Sequence, residues 1–540
     1  MANDSSSSIL KNTSLITLAT LGSRVTGLLR TWAMAFALGN TLLTSAYQIA
    51  YNLPSMIYDL AVGGVLATAF LPLYLLQKEK EGDKGAQKFS SNILSITLII
   101  LGVLALLCSI FAPAVIETQT FTVESGSSKD LSIFFFRVFA IQILFYGLGA
   151  VITGILNAER VFLIPSLAPV INNVVVIVTM FGFVPLSTWN AEFAMWWLAI
   201  GTSLGVLVQF GIQIPALIKR GFKYSPHVNL HDPMLKEALK VALPMFIYIA
   251  GTMITFSCRN AFSLDAAANG PSTLNYAWTW YQLPYGIIAV SVSTTMLTEL
   301  SDCAAREDWR GFKHFIKTGL RSTFFLIIPL AAMVGGLALP LMQLFQAGAF
   351  SSEDTLTVSM VLSVWTLSLP FYAGYMYMYR VFAALRKFTQ FALIDIALRI
   401  VQVFFYYLLC QPDALGVAGI PVADIFFYVI MFAVCVLLVK KHVGDFGIGG
   451  TINLFFKVSI ASIIGGAIVV TLSTFAQQLM PSSGASVILF ALLIIAVAGS
   501  VGLIVSFALC KLFKISEFEI LSRIGRKVLG VFRRGSNTEG

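Results

Sequence analysis

Fourteen apolar stretches, each long enough to cross a lipid bilayer, constrain this 540-residue chain more than any other feature. A helix rises about 1.5 Å per residue, so about 20 apolar residues match a hydrocarbon core about 30 Å thick. The stretches run over 14–38, 44–76, 91–114, 131–156, 161–184, 193–218, 239–262, 272–298, 321–345, 356–379, 388–410, 417–439, 454–476 and 485–510. Inside lipid the backbone has no water to bond, so runs of this length must be helices rather than strands. The expected fold class is an all-α polytopic membrane protein with 14 transmembrane helices. The second stretch carries Pro54, Gly63 and Gly64, and a kink or break is expected there. Composition agrees, with 57% of residues apolar and 11% charged, against about 25% charged in a soluble domain. That balance excludes a soluble enzyme, a disordered chain and a nucleic-acid binder.

Lys and Arg are concentrated in alternate loops, which sets an orientation. Lys78, Lys80, Lys84 and Lys88 follow the second stretch, and Lys219, Arg220, Lys223 and Lys236 follow the sixth. Arg306, Arg310, Lys313 and Lys317 follow the eighth, Arg386 and Lys387 the tenth, and Lys440 and Lys441 the twelfth. The tail holds Arg523, Arg526, Lys527, Arg533 and Arg534. The remaining loops carry almost no Lys or Arg, apart from Lys129 among Glu117, Glu124 and Asp130. Both chain ends are therefore expected in the cytoplasm. The net charge of +9 is mostly this topology, plus attraction to anionic headgroups. Two stretches, 305–317 and 515–534, space aromatic and aliphatic residues among basic ones and read as helices lying on the membrane.

No enzyme signature is present. Six cysteines form no CxxC pair, and the histidines, His227, His231, His314 and His442, fall in loops without metal-ligand spacing. There is no P-loop and no Gly-x-Ser-x-Gly motif. Neither a metal nor another cofactor is expected.

The informative residues are charges inside apolar runs, where each costs at least about 2.5–3.5 kcal/mol and needs a reason. Arg24 and Arg30 lie in GSRVTGLLR within span 1. Their separation places them about 120° apart around the helix and about 9 Å apart in depth. No acidic residue is near them in sequence, so a water-filled cavity is the better reading. Arg259, late in span 7, reads the same way. Three arginines on one cavity would make an anion receptor, because guanidinium pairs bidentately with phosphate. Asp59 lies in span 2 and Asp424 in span 12, while Asp395 and Arg399 share one face of span 11 and read as an intrahelical pair. Arg137, near the outer end of span 4, is expected to snorkel outward.

Several segments resemble a known family. They are SRVTGLLR (23–30), NLPSMIYDLAVGGVLATAFLPLY (52–74), GILNAERVFLIPSLAPVINN (154–173), VQFGIQIPALIKRGF (208–222), NYAWTWYQLPYGIIAVSVSTTMLTELS (275–301) and LFQAGAFSSEDT (344–355). In this order they resemble the MurJ/MviN family of lipid II flippases, over about residues 14–440. That family belongs to the multidrug/oligosaccharidyl-lipid/polysaccharide flippase superfamily. The resemblance implies two six-helix lobes in a V, 1–220 and 221–445, around a cavity that opens to each side in turn. It implies a polyprenyl-tail groove at spans 13 and 14 (446–513), followed by a basic amphipathic cytoplasmic tail (514–540). The implied substrate is lipid II, an undecaprenyl-diphosphate-linked disaccharide-pentapeptide, moved across the bacterial plasma membrane for cell wall synthesis. Implied partners are lipid II, membrane lipids and, through the tail, cell wall synthesis proteins, with no nucleic acid.

Arg24 and Arg30 match the two arginines of the family's first helix. Elsewhere the chain departs from it. Familiar members have two arginines where this chain has Tyr58 and Asp59, an acidic residue at Gly63, an aspartate near Ser45 and an arginine at Thr279. Arg259 is expected to replace that span 8 cation, and Tyr58, Asp59, Thr279 and Gln282 to line the cavity. Some members bind a sodium ion between spans 7, 11 and 12, where the Arg399 guanidinium, held by Asp395, is expected to stand in for it. Rival readings are a flippase for another polyprenyl-diphosphate-linked oligosaccharide of the O-antigen type, and a non-transporting homologue that serves as a scaffold. A drug exporter would need deep carboxylates rather than arginines. A membrane glycosyltransferase would need a large outer loop with carboxylates, which the stretch near 115–130 does not provide.

Overall fold

The computed structural model describes the backbone of residues 2–124, 126–229, 233–411, 413–481 and 485–518, with side chains described outside 2–18, 64–69 and 233–244. The expected surface helix at 515–534 lies outside the described residues beyond Phe518, and so does His231. Among the described residues every regular element is helical. In chain order the first are α1 (Ala2–Leu38), α2 (Leu42–Tyr58), α3 (Gly64–Ile110), α4 (Ala112–Thr120) and α5 (Ser127–Phe139). Next come α6 (Gln142–Ala158), α7 (Leu163–Trp189), α8 (Ala191–Gly211), α9 (Gln213–Lys219) and α10 (Pro233–Ala266). They are followed by α11 (Gly270–Pro284), α12 (Val290–Ala305), α13 (Trp309–Gly336), α14 (Ala338–Gln343) and α15 (Ser352–Thr366). The last are α16 (Leu369–Ala384), α17 (Phe388–Leu409), α18 (Gly419–Val443), α19 (Ile448–Gln477) and α20 (Ala485–Leu512).

Nine of these helical stretches are long and apolar enough to cross a membrane by themselves, and eleven when each of two bent pairs, α5 with α6 and α15 with α16, counts as one span. The helices α1, α2 and α10 lie outside that set and coincide with the expected spans 1, 2 and 7. The result is consistent with fourteen spans.

Local chemistry fixes the ends and breaks. Asn190 caps α8 by accepting the Phe193 N–H at 3.0 Å, and Asp308 caps α13 by accepting the Gly311 N–H at 2.9 Å. The break expected in span 2 is a π-helical segment, Asp59–Gly63, between α2 and α3. A second π-helical segment, Tyr285–Ala289, joins α11 to α12 directly after Pro284. Proline lacks an N–H and crowds the preceding turn, so a widened turn beside it is a natural place for a helix to shift its register. Beyond α3's first half, Gly82 at φ 68° kinks the chain between spans 2 and 3.

The chain divides into two compact units. Unit 1 comprises residues 1–275, 348–351 and 395–417, and unit 2 comprises 276–347, 352–394 and 418–540. In unit 1, α1 packs on α7, α7 on α8, and α3 on α6. The turn after α1 closes against residues 348–351, where the Ala349 N–H donates to the Phe36 carbonyl at 2.9 Å. Gly39 at φ 65° permits this approach, since a Cβ there would stand 2.4 Å from the Ala349 carbonyl oxygen. At another end of unit 1, Glu159 accepts from the Lys78 ammonium at 2.5 Å and the Tyr74 hydroxyl at 2.8 Å. Burial pushes the Glu159 carboxyl up, but the hydrogen bonds from Lys78 and Tyr74 outweigh it and hold the group below the usual glutamate range.

In unit 2, α13 packs on α19 and α19 on α20. Small residues allow close helix approach, as at Gly465, where a Cβ would stand 2.0 Å from the Ser506 hydroxyl. The α20 end is fastened to α13. The Arg321 guanidinium donates to both Glu517 oxygens and, at 3.0 Å, to the Gly450 carbonyl.

Candidate functional site

Arg30 provides the clearest cation site. It leaves α1 opposite α2 and donates to the Tyr51 hydroxyl at 2.6 Å. Its guanidinium carbon also lies 5.3 Å from the centre of the Tyr51 ring. Tyr47, one turn before Tyr51 on α2, stacks on it at 5.7 Å and donates to, or accepts from, Thr202 at 3.0 Å. Tyr47 and Tyr146, the latter on α6, are close enough to feel the Arg30 charge. Tyr58 continues the group, with its ring 6.3 Å from that of Tyr146. Among the described residues no carboxylate pairs with Arg30. The Tyr51 phenol oxygen satisfies part of its fork without neutralising it, so the positive charge stays available to an anion.

The other expected site residues have different surroundings. Arg24 is exposed on α1, next to Ser23, whose carbonyl, together with the Thr26 hydroxyl, meets Asn173 of α7. Arg259 is half-buried and stacks on Phe256 of its own helix at 4.4 Å. Asp59 is exposed in the π-helical segment, and Tyr58 directly precedes it. In unit 2, Thr279 is half-buried, while Gln282 donates to the Tyr372 hydroxyl at 3.2 Å. Asp395 and Arg399 form the intrahelical pair read from their spacing, with 2.5 Å between Nε and Oδ2. Asp395 is fully buried, and the Arg399 guanidinium also lies 5.9 Å from the Tyr248 ring. Asp424 is buried and accepts from the Trp365 indole at 2.9 Å. Arg137 is exposed near the end of α5. Among the described residues no group of three His, Cys, Asp or Glu side chains is placed to hold a metal.

Sequence reasoning named Tyr58 but missed Tyr47, Tyr51 and Tyr146 around Arg30. Tyr47 and Tyr51 could have been found from their four-residue spacing, which puts both on one face of α2. Tyr146 gave no such signal, because it comes from a different helix.

Among the described residues, each unit encloses a cavity that bears on the site. In unit 1 a space of 490 Å³ is bounded by α6, α7, α8, α9 and the residues flanking the π-helical break, with Tyr58 and Tyr146 in its wall. In unit 2 an apolar space of 340 Å³ lies between α13, α15, α16 and α19, walled by residues such as Ile328, Phe371, Phe455 and Val470.

Long apolar helices, π-helical breaks in two of them and a cation sunk among phenols define a multi-span helical membrane transporter. The fold is also that of a multidrug resistance MATE family transporter of the MOP superfamily in an inward-facing conformation, with a TM-score of 0.66 at 17% identity, covering 78% of this chain and 95% of that one. The chain belongs to the MurJ family, since residues 34–494 match the family described as lipid II flippase MurJ. A solved structure described as lipid II flippase MurJ, inward closed conformation, is 26% identical, with a TM-score of 0.74 and coverage of 92% of this chain and 99% of that one. Among curated relatives, the lipid II flippase MurJ of Thermosipho africanus is 30% identical over 383 residues, covering 70% of this chain and 75% of that protein. A probable lipid II flippase MurJ from Synechocystis is 26% identical over 461 residues, covering 83% of this chain and 84% of that protein.

Proposed function

We propose that this chain moves lipid II from the inner to the outer leaflet of the bacterial plasma membrane by alternating access, for cell wall synthesis. The family match over residues 34–494 carries the reading. The local chemistry supports it, because the lipid's diphosphate must leave water and Arg30 offers an uncompensated guanidinium at helix depth. Arg24 and Arg259 are the further cations proposed to follow the diphosphate. Tyr58, Asp59, Thr279 and Gln282 are proposed to contact the rest of the head group. The apolar space beside α19 suits the polyprenyl tail. Asp395 and Arg399 are proposed to take the place of a bound cation. Both ends of the chain are assigned to the cytoplasm from the loop charges, and cell wall synthesis proteins are the proposed partners of the tail. The step forms and breaks no covalent bond, so no catalytic group or cofactor takes part.

Depleting the protein and measuring lipid II exposed at the outer leaflet tests the reading. Exposure should fall as the protein disappears, and undiminished exposure would refute it. Within that assay, Arg259→Ala should fail to restore exposure while still reaching the membrane. The departures at Tyr58, Asp59 and Thr279 favour one second reading, transport of a different polyprenyl-diphosphate-linked oligosaccharide. Restoration of that lipid's export, without restoration of lipid II exposure, would select it.

A further inference from the structure

The 490 Å³ cavity of unit 1 has a wall that its own protein leaves unsatisfied. Gln213 is engaged at both ends of its carboxamide, accepting from the Thr153 hydroxyl at 2.8 Å and donating to the Gln209 carbonyl at 3.2 Å. Gln209 commits its side-chain oxygen to Asn172 at 2.9 Å, and its amide nitrogen has no partner among the described residues. The Asn157 carboxamide and the Tyr58 and Tyr146 hydroxyls, which also line the space, likewise have no partner among the described residues. A polar group left unpaired out of water costs about 1–3 kcal/mol. These four groups are only half-buried, so water holds them until something that hydrogen-bonds takes its place, and a ligand that failed to do so would leave them unpaired.

The wall also states which chemistry fits. Asp, Glu, Lys and Arg are all missing from the lining residues. A diphosphate would find no counter-charge here, and the carboxylates and amine of a peptide would be stripped of water without compensation. Carboxamides and phenols, by contrast, both donate and accept, as neutral hydroxyls require. The Tyr58 and Tyr146 rings, inclined by 34°, present apolar faces beside those polar groups. Alternating polar edges and C–H faces are the surface of a sugar ring. The volume falls within the range of about 300–1,000 Å³ usual for small-ligand sites. Tyr146 belongs both to this wall and to the surroundings of Arg30, so the space adjoins the cation site.

We propose that this cavity is a carbohydrate subsite, in which Asn157, Gln209, Tyr58 and Tyr146 hold the neutral sugar part of the translocated head group while Arg30 holds the diphosphate. It rests on the lipid II reading and adds a division of labour to it. The purified full chain in lipid nanodiscs would be titrated with three lipids: undecaprenyl diphosphate, the same lipid carrying the disaccharide, and lipid II. Gln209→Leu and Asn157→Leu should each weaken binding of both sugar-bearing lipids about fivefold to tenfold, the worth of one hydrogen bond. Binding of undecaprenyl diphosphate should be unchanged. Tyr58→Phe removes only a hydroxyl and should show the same selectivity if either leucine variant fails to fold. Equal losses for all three lipids, no loss for any, or a loss that appears only with the pentapeptide would each overturn the subsite. If the unaltered protein binds undecaprenyl diphosphate but gains nothing from the sugars, the subsite fails alone. If it binds none of the three lipids, the flippase reading fails with it.

Discussion

Two stretches of the chain carry the same tetrad, Tyr-x-Leu-Pro, at Tyr51–Pro54 in α2 and Tyr281–Pro284 in α11. Each is followed by a π-helical segment, at 59–63 and 285–289 respectively. The backbone device is shared, but the surroundings are opposite. Tyr51 is half-buried and accepts from Arg30. Tyr281 is fully buried, stacks on Trp278 at 5.0 Å and Trp365 at 5.5 Å, and shares a hydrogen bond of 2.9 Å with Ser368. One tetrad thus presents a cation in unit 1, and the other anchors a dry aromatic core in unit 2. A broken helix therefore does not by itself mark a binding site; what fills the space beside the break decides it. On this view the cation chemistry is concentrated in unit 1, and in unit 2 the Tyr281 side chain supplies rigidity, while its neighbours Thr279 and Gln282 keep their proposed head-group contacts.

The largest effect should come from breaking the rigid side. Trp365→Ala removes a buried indole together with the hydrogen bond it donates to Asp424. Large-to-small changes of this kind cost about 3–5 kcal/mol. Thermal unfolding in detergent should move to clearly lower temperature, and an unchanged midpoint would show that the aromatic group in unit 2 carries no structural weight. The next effect falls on the binding side. Arg30→Ala removes a charge-assisted contact worth about 1.5–3 kcal/mol to an anionic ligand, or roughly tenfold to a hundredfold in affinity. Undecaprenyl diphosphate binding should fall by that factor with little change in unfolding temperature. Arg30→Lys should recover only part, since lysine keeps the charge but loses the planar fork. Equal effects of Trp365→Ala and Arg30→Ala on both readouts would erase the contrast between the units.

How much of this was legible in the sequence depends on distance along the chain. The helices were legible because each is specified by its own apolar run, and the capping and breaking residues lie within it. The Asp395–Arg399 pair was legible because four residues make one helical turn. Pro54 announced a break in span 2, but neither it nor Pro284 announced that the break is a π-helical turn, which depends on how surrounding helices support the loosened backbone. The Trp365–Asp424 bond joins residues 59 apart in sequence, and no local pattern signals it. The phenol surroundings of Arg30 failed for the same reason at Tyr146. Arg24 and Arg30 look alike in sequence, yet one is exposed beside the α7 contact and the other is held by Tyr51.

A third prediction tests the rigid side with pH. Burial raises the Glu517 carboxyl, but the hydrogen bond from Arg321 and further contacts outweigh it, so the group titrates below the ordinary glutamate range. A depressed carboxyl adds stability that is present above its unfolded value, about 4.3, and is lost as pH falls through the lower folded value. Glu517→Gln should therefore lower the unfolding temperature at neutral pH, by an amount corresponding to about 1.5–2 kcal/mol for a hydrogen-bonded charge. The gap between the two proteins should narrow below about pH 4. A gap that widened on acidification would mean that the Arg321 clasp is not what holds this end of unit 2.

The smallest effect bears most directly on the comparison, because it makes the same change at both tetrads. Tyr281→Phe removes a hydroxyl that bonds Ser368, which keeps its bond to the Trp365 carbonyl at 2.8 Å. The loss should be about 1 kcal/mol of stability, and lipid binding should not change. Tyr51→Phe removes the acceptor that holds Arg30 but leaves the ring beneath the guanidinium. Stability should then change little, because the freed guanidinium can turn to water or ligand, whereas affinity for undecaprenyl diphosphate should shift severalfold. Either direction of that shift would be informative: a weaker complex means that Tyr51 aims the cation, and a tighter one means that it competes with the ligand for it. If both phenylalanine variants altered stability alone, Tyr51 would be another packing tyrosine, and the two tetrads would differ in burial but not in role.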